Sequence, residues 1–338
     1  MTSLHYVLGV DIGTTSTKSV LFSESGEVIA KHTIGYPLYT PTPMTAEQDP
    51  EQIYQAVLGT MRETLKKSAI SPSELLCVSF SSAMHSLIAV DDRCKPLTQC
   101  ITWADNRSEP WAEKIKKEWN GHSIYLRTGT PIHPMSPLSK LVWLREEQAE
   151  TFSKAAKFIS IKEYVFYKLF SQYVIDYSVA SATGLFNLNE LNWDQEALEL
   201  AGVTAQHLSE PVATTHYLQG LDPEAAHFIG VREDVPFVLG ASDGCLSNLG
   251  VNAIDFGSVA VTIGTSGAIR TVADHPITDP KGRTFCYALT EKHWVIGGPV
   301  NNGGMTFRWV RDELAASEVE TAGRLGIDPY EVLTRIAS

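Results

Sequence analysis

The sequence has 338 residues, 43% hydrophobic and 20% charged, with a formal net charge of −12 at pH 7. That balance suits a globular chain long enough for two domains, and it excludes a general nucleic-acid or anionic-membrane binder, either of which needs a basic face. No window approaches the roughly 18 apolar residues of a spanning helix, and no basic-then-apolar leader opens the chain. The five cysteines are odd in number and irregularly spaced, with no C-x-x-C. Reduced thiols in a cytoplasmic protein are therefore expected, not a disulfide frame or zinc site.

In chain order, "HYVLGV", "STKSVLF" and "EVIAKHTI" read as a three-strand meander, with "SESG" as a turn between the last two. Asp49-Pro50 opens a helix with Asp49 as N-cap and Gln52 in the capping-box place, and Ile53, Val57, Met61 and Leu65 give it a buried stripe. "LLCVSF" and "LIAVDD" are predicted strands separated by "SSAMHS". Ser108-x-Pro110 and Ser136-Pro137 start further helices, and "NWDQEALELAG" is a short one closed by Gly202. Mixed strands and helices make the class α/β.

One pattern occurs twice. "VDIGTTSTKSV" (10–20) and "VTIGTSGAIRTV" (261–272) share an apolar strand, Ile-Gly-Thr, small hydroxyl residues and a second strand. Two such turns can face each other across a cleft as a phosphate clamp. Gly13 allows the sharp turn, while Thr14 and Thr15 present amides and hydroxyls to one point. Asp11, at the strand end, is a hard oxygen ligand suited to magnesium, through water. Neither a Walker loop nor G-x-G-x-x-G occurs.

Three other stretches carry chemistry. Met84 and His85 sit in the loop "SSAMHS", where the imidazole can hydrogen-bond a polyol. "ITWADNRSE" groups Trp103, Asp105 and Arg107: an aromatic face for sugar C–H groups, a carboxylate for hydroxyls and a guanidinium for an anionic end. The structural alternatives are a surface histidine, a core tryptophan and an exposed Asp–Arg pair. In "VLGASDGCLSNLG", Ser242 fits a G-x-S-x-G nucleophile turn, whereas Asp243 is a carboxylate in the first turn of a helix. A hydrolase would also need an HGGG-type oxyanion loop, which is missing, and would leave both Gly-Thr turns without a purpose.

The strand-"DIGTTSTK" unit, its echo "TIGTSG" and the strand into "GASDG" resemble the sugar-kinase branch of the actin-like ATPases. "MSPLSKLVWLREE" (135–147) is similar to the first signature of the FGGY carbohydrate kinases, with Met135, Pro137, Lys140, Trp143 and Glu146-Glu147 in place. "DYSVASATGLFNLNELNWD" resembles that family's second landmark, and "SFSSAMHS", "ITWADNRSE", "RTGTPIHPMSPLSK" and "VIGGPVNNGG" are closest to its gluconate-phosphorylating bacterial members.

The resemblance implies a ribonuclease H-like fold of two domains around a cleft, and ATP-dependent phosphorylation of gluconate to 6-phosphogluconate. It assigns Asp243 as general base, Asp11 near Mg2+, Gly13, Thr14 and Thr15 to the first phosphate loop, and Gly264 and Thr265 to the second. Gly304 and Arg308 fall where the family lines the nucleotide cleft, and Met84, His85 and Trp103 where it touches sugar. Asp105 is added to the sugar site by its carboxylate. Arg107 as partner of the gluconate carboxylate is inferred from charge. Residues 1–245 are expected to form the sugar-binding domain with the first phosphate loop. Residues 246–338 are expected to begin a nucleotide-binding domain that reads as incomplete, since the family's later adenine-binding glycine segment is missing. The partners are thus ATP and a sugar acid, with no nucleic acid or membrane, and exposed apolar surface would invite self-association such as a homodimer. Open alternatives are a kinase for xylulose, glycerol or another polyol, a catalytically silent sugar-acid binder, and a serine hydrolase using Ser242.

Overall fold

The computed structural model describes residues 5–264, 267–300 and 303–338. The expected meander forms as β1 (Tyr6–Ile12), β2 (Ser16–Ser23) and β3 (Val28–Gly35), antiparallel in sequence order. Helix α1 (Pro50–Ser68) follows, capped by Asp49, whose carboxylate accepts from Glu51 N at 2.9 Å. It leads into β4 (Leu75–Ser82), which returns parallel to β1. After a long helical excursion, β5 (Tyr217–Leu218) and β6 (Phe237–Ser242) complete a six-stranded sheet in the order β5-β6-β4-β1-β2-β3, with β6 parallel to β4.

Alternation along β1 decides which face is covered. Leu8, Val10 and Ile12 are buried. They share a core with Ile53, Val57 and Met61 of α1, with Leu65 packed at its margin, so the expected stripe is realised. Tyr164, Val165, Phe166 and Leu169 of α2 (Ile161–Phe170) join the same core. Asp11 falls on the other face and is exposed. Burying apolar side chains on one face leaves the carboxyl ends of β1, β4 and β6 to present polar groups on the other.

A second sheet of four antiparallel strands, β7 (Val259–Ile263), β8 (Gly267–Ala273), β9 (Phe285–Thr290) and β10 (His293–Val300), runs in the order β7-β8-β10-β9. It packs directly on the first part of the chain. Phe285, Tyr287 and Leu289 share a cluster with Ala182, Ala241 and Cys245, while Cys286, Ala288 and Trp294 pack with Ile175, Val179 and Phe186. Hydrogen bonds add to this seam: Cys286 N donates to Gly129 O at 2.9 Å, Ala288 N to Ser181 Oγ at 2.9 Å and Thr214 Oγ1 to Leu289 O at 2.7 Å. On β7, Val259, Val261 and Ile263 are exposed.

All five cysteines are free, four of them buried. Among the described residues no helix is long and apolar enough to cross a membrane, and no three His, Cys, Asp or Glu side chains converge as a metal site. Two expected caps differ in chemistry. Ser108 and Ser136 stand at the N-cap positions, but their hydroxyls donate to the carbonyls of Pro134 and His133 and do not cap the helix.

Candidate active site

Asp243 is the first residue of helix α3 (Asp243–Gly250). The strand before it is irregular: β6 slips register against β4 between Val238 and Ala241, and Gly240 adopts φ +65°. A side chain there would place its Cβ 1.8 Å from Phe80 O, so this glycine serves the backbone crossing and not the approach of a substrate. Lys162, buried in α2, donates to Leu239 O at 3.0 Å and Ala241 O at 3.1 Å and pairs with Asp176 at 2.7 Å. The strand end is thereby fixed from behind.

Ser242 is the N-cap. Its buried Oγ accepts from Cys245 N at 3.4 Å and shares a 2.8 Å hydrogen bond with Ser178, not with a histidine. That engagement leaves the nucleophile reading without a base. Asp243, in contrast, is open to solvent although protein surrounds it on most sides. Its Oδ1 accepts from Gly244 N at 2.7 Å. The helix-terminus argument alone predicts a carboxyl held ionised. Its acidity is instead weakened above the usual aspartate range, because the surrounding protein withdraws it from water. The Gly244 N–H opposes this, the charge of Asp11 reinforces it, and Arg270 and Lys162 oppose it.

Asp11 and the first Gly-Thr turn stand at the end of β1, two strands away from β6 in the same sheet. Gly13 N donates to Ser16 O at 3.0 Å, and Tyr36 Oη donates to Gly13 O at 2.6 Å. Gln48 Nε2 donates to Thr14 O at 2.6 Å and Tyr36 N to Thr15 O at 3.1 Å. The carbonyls of the turn are thus occupied. Among the described residues the Thr14 and Thr15 N–H groups find no acceptor, which leaves them free for an anion. The Thr14 hydroxyl accepts from Trp103 Nε1 at 2.9 Å, so the turn touches the aromatic proposed for the sugar. Gly13, Thr14, Met84 and Trp103 line one small pocket. Trp103 itself is 48% exposed, and so is not a core residue.

The remaining sugar-site candidates are more deeply engaged than the sequence suggests. His85 is buried at φ +68°, with Nδ1 2.7 Å from Ala182 O and Nε2 3.4 Å from Tyr287 Oη. Burial, helped by nearby Lys140, pushes its pKa down to about 3, so the ring is neutral and not a surface histidine. Asp105 is buried too. Its carboxylate accepts from Ala46 N at 2.9 Å and pairs with Arg107 at 2.8 Å. Arg107 also bonds Glu47 and stacks on Trp143, 4.5 Å from the ring centroid. Two carboxylates already neutralise this guanidinium, so the charge that suggested an anion contact is spent inside the protein.

From the second sheet, β7 and β8 both pack against α3. Gly304 N donates to Gly264 O at 2.7 Å, and a Cβ on Gly304 would stand 2.8 Å from that oxygen, so the glycine permits the contact. Thr265 lies outside the described residues. Arg308, in the helix Gly304–Trp309, is exposed and sits 3.6 Å from Asp312.

Three residues given no separate role by the sequence reading complete the site. Lys162 is one. Lys140, from the quoted "MSPLSK", donates to His85 O at 2.6 Å and Thr102 O at 2.7 Å and so joins the loops that carry Met84-His85 and Trp103. Burial lowers its pKa to about 7. Arg270, within the echo, lies over Gly244 beside Asp243. A cation placed soon after each Gly-Thr turn was the available signal.

Residues 6–250 match the N-terminal domain of the FGGY family of carbohydrate kinases. The chain is 64% identical over 332 residues to a gluconokinase of Bacillus subtilis (strain 168), a match covering 98% of this chain and 64% of that protein. Among solved structures, a gluconate kinase from Lactobacillus acidophilus superposes with a TM-score of 0.89 at 41% identity, over 93% of this chain and 63% of that one. A ligand-bound xylulose kinase from Lactobacillus acidophilus gives 0.91 at 39% identity, over 98% and 65%. The chain therefore spans slightly under two thirds of the length of these relatives.

Proposed function

The chain belongs to the FGGY family of carbohydrate kinases, and on that premise we propose that it transfers the γ-phosphoryl group of ATP to the terminal hydroxyl of D-gluconate, giving 6-phosphogluconate. The observation that carries this reading is Asp243 itself: a solvent-reached carboxylate of weakened acidity between the Asp11 strand end and the second sheet. A carboxylate whose acidity is weakened binds a departing proton better than an ordinary aspartate does.

In the proposed reaction the sugar hydroxyl gives its proton to Asp243, its oxygen bonds to the γ-phosphorus, and the bond to the β–γ bridging oxygen breaks to release ADP. The free N–H groups of Thr14 and Thr15 hold phosphate oxygens, and Gly264, Gly304 and Arg308 serve the nucleotide from the second part of the chain; the same role is proposed for Thr265 from its sequence alone. The exposed carboxylate of Asp11 fits magnesium, which accepts one or two carboxylates beside substrate phosphates; when bound, the ion neutralises phosphate charge. Trp103 offers its exposed face to the sugar beside Met84. His85, Asp105 and Arg107 act from behind, shaping the loops that carry those contacts. We assign residues 1–245 to sugar recognition and the first phosphate loop, and 246–338 to the nucleotide side. A cytoplasmic setting and the absence of nucleic-acid or membrane partners belong to the same proposal.

An ADP-release assay with gluconate, xylulose and glycerol tests this. Asp243→Asn is expected to lower turnover by about 10²–10⁴-fold while gluconate binding persists. Retained turnover in that variant removes Asp243 from the role. Gluconate binding without ADP release by the parent chain would mark a silent binder, and preferred turnover of xylulose or glycerol would reassign the substrate.

A further inference from the structure

We infer that Arg270 is the residue that recognises the negative charge of the substrate and so sets its preference for a sugar acid over a neutral polyol. The inference rests on the sugar-acid reading above and names the group that selects such a substrate, adding to the sugar side one residue from the part otherwise assigned to the nucleotide.

Two cations exert their charge on Asp243, Lys162 and Arg270. Lys162 is buried and committed to Asp176 and two carbonyls. Arg107 is held by Asp105 and Glu47, and Lys140 by two carbonyls. Arg270 differs from all three. Among the described residues it forms no ion pair. Its Nε is shielded from solvent without a hydrogen-bond partner, and its one side-chain contact, Nη1 to Thr262 Oγ1, is long at 3.5 Å. A guanidinium with a dry, unpaired N–H is costly to maintain and calls for an acceptor.

The surroundings make a slot for it. Nε and Nη2 lie 3.5 Å from where a Cβ on Gly244 would stand, and Cγ lies 3.1 Å from the corresponding position on Gly297. Met84 Cε would be 2.6 Å from the same Gly244 Cβ. Gly297 thus gives room to the stem of Arg270, and Gly244 lets Met84 come close where the Arg270 head reaches the residue after Asp243. A planar fork there can take a carboxylate by paired N–H bonds, which a hydroxymethyl group cannot match.

The test measures binding by calorimetry, without ATP, of gluconate and of glucitol, in which CH2OH replaces the carboxylate. The parent chain is expected to prefer gluconate by about ten- to a hundredfold. Arg270→Gln is expected to erase that preference with glucitol affinity unchanged, and Arg270→Lys to keep part of it. Preference retained in Arg270→Gln, parallel weakening of both ligands, or no preference in the parent chain overturns the inference. If Arg270→Gln does not fold, Arg270→Lys decides: a narrowed preference supports the inference and an unchanged one refutes it. Failure of the kinase reading looks different, since the parent chain would release no ADP with gluconate while the charge preference and its loss stayed measurable.

Discussion

Lys162 and Asp176 form a buried ion pair at 2.7 Å, and the same ammonium holds the carbonyls of Leu239 and Ala241 on either side of Gly240. Asp176 is occupied in turn, since its other oxygen accepts from Val179 N at 2.9 Å. Removing the ammonium would strand a buried carboxylate and free the strand that carries Asp243. Lys162→Met is expected to lose roughly 3–5 kcal/mol of stability, read as a lower denaturation midpoint. An unchanged midpoint would show that the pair is dispensable.

Gly240 crosses β4 at a point where no side chain fits. Gly240→Ala meets both a left-handed φ and the Phe80 carbonyl, so a cost of at least about 2–3 kcal/mol is expected. The loss should appear as lower thermal stability together with reduced turnover, because Asp243 follows three residues later. Wild-type melting and turnover in this variant would contradict the packing argument.

The hydrogen bond from Trp103 to Thr14 joins the aromatic proposed for the sugar to the turn proposed for phosphate. Trp103→Phe keeps an aromatic face and deletes this bond. It is expected to weaken nucleotide binding as well as sugar binding, and to show a coupling of about 0.5–1.5 kcal/mol with Thr14→Val in a double-mutant cycle. Titration of nucleotide and gluconate against the four proteins checks this; additivity would mean that the bond carries nothing between the sites.

His85 gives the stability curve a defined sign. Its folded pKa is depressed to about 3, so on acidification below about 6.5 the unfolded chain takes up a proton that the native ring refuses. Its contribution is therefore full above pH 6.5 and is lost as pH falls toward 3, at up to about 1.4 kcal/mol per pH unit. Glu163 works in the opposite sense: burial raises it to about 7, so its contribution is full below its ordinary range and is lost as pH rises through 7. The clean observable is the difference between parent and His85→Asn, a residue that tolerates the positive φ. Unfolding midpoints from pH 4 to 7 should converge on acidification; parallel curves would show that His85 titrates normally.

Much of this arrangement is legible in the residues. The meander, the stripe of α1 and the Asp243 turn follow from alternation, four-residue spacing and capping chemistry, all local rules. The Gly-Thr echo correctly marks two strand pairs because a sharp turn needs the same small residues in each. What escapes is the pairing of charges distant in sequence. Arg107 looks free beside Trp103, yet Glu47, 60 positions earlier, helps occupy it. Arg270 looks like one more strand residue, and only its shielded, unpartnered Nε exposes its isolation. The weakened acidity of Asp243 is hidden for the same reason: a helix end can be read from four letters, whereas withdrawal from water depends on what tertiary folding places around it.

The seam formed by Phe285–Thr290 bears on where the polypeptide can be trimmed. Because that strand supplies hydrogen bonds with Gly129, Ser181 and Thr214 and apolar filling for Val179 and Phe186, shortening the gene just after codon 245 would strip residues 1–245 of part of their own lining. A minimal fragment for crystallisation or labelling should therefore retain everything through the hairpin ending at Val300.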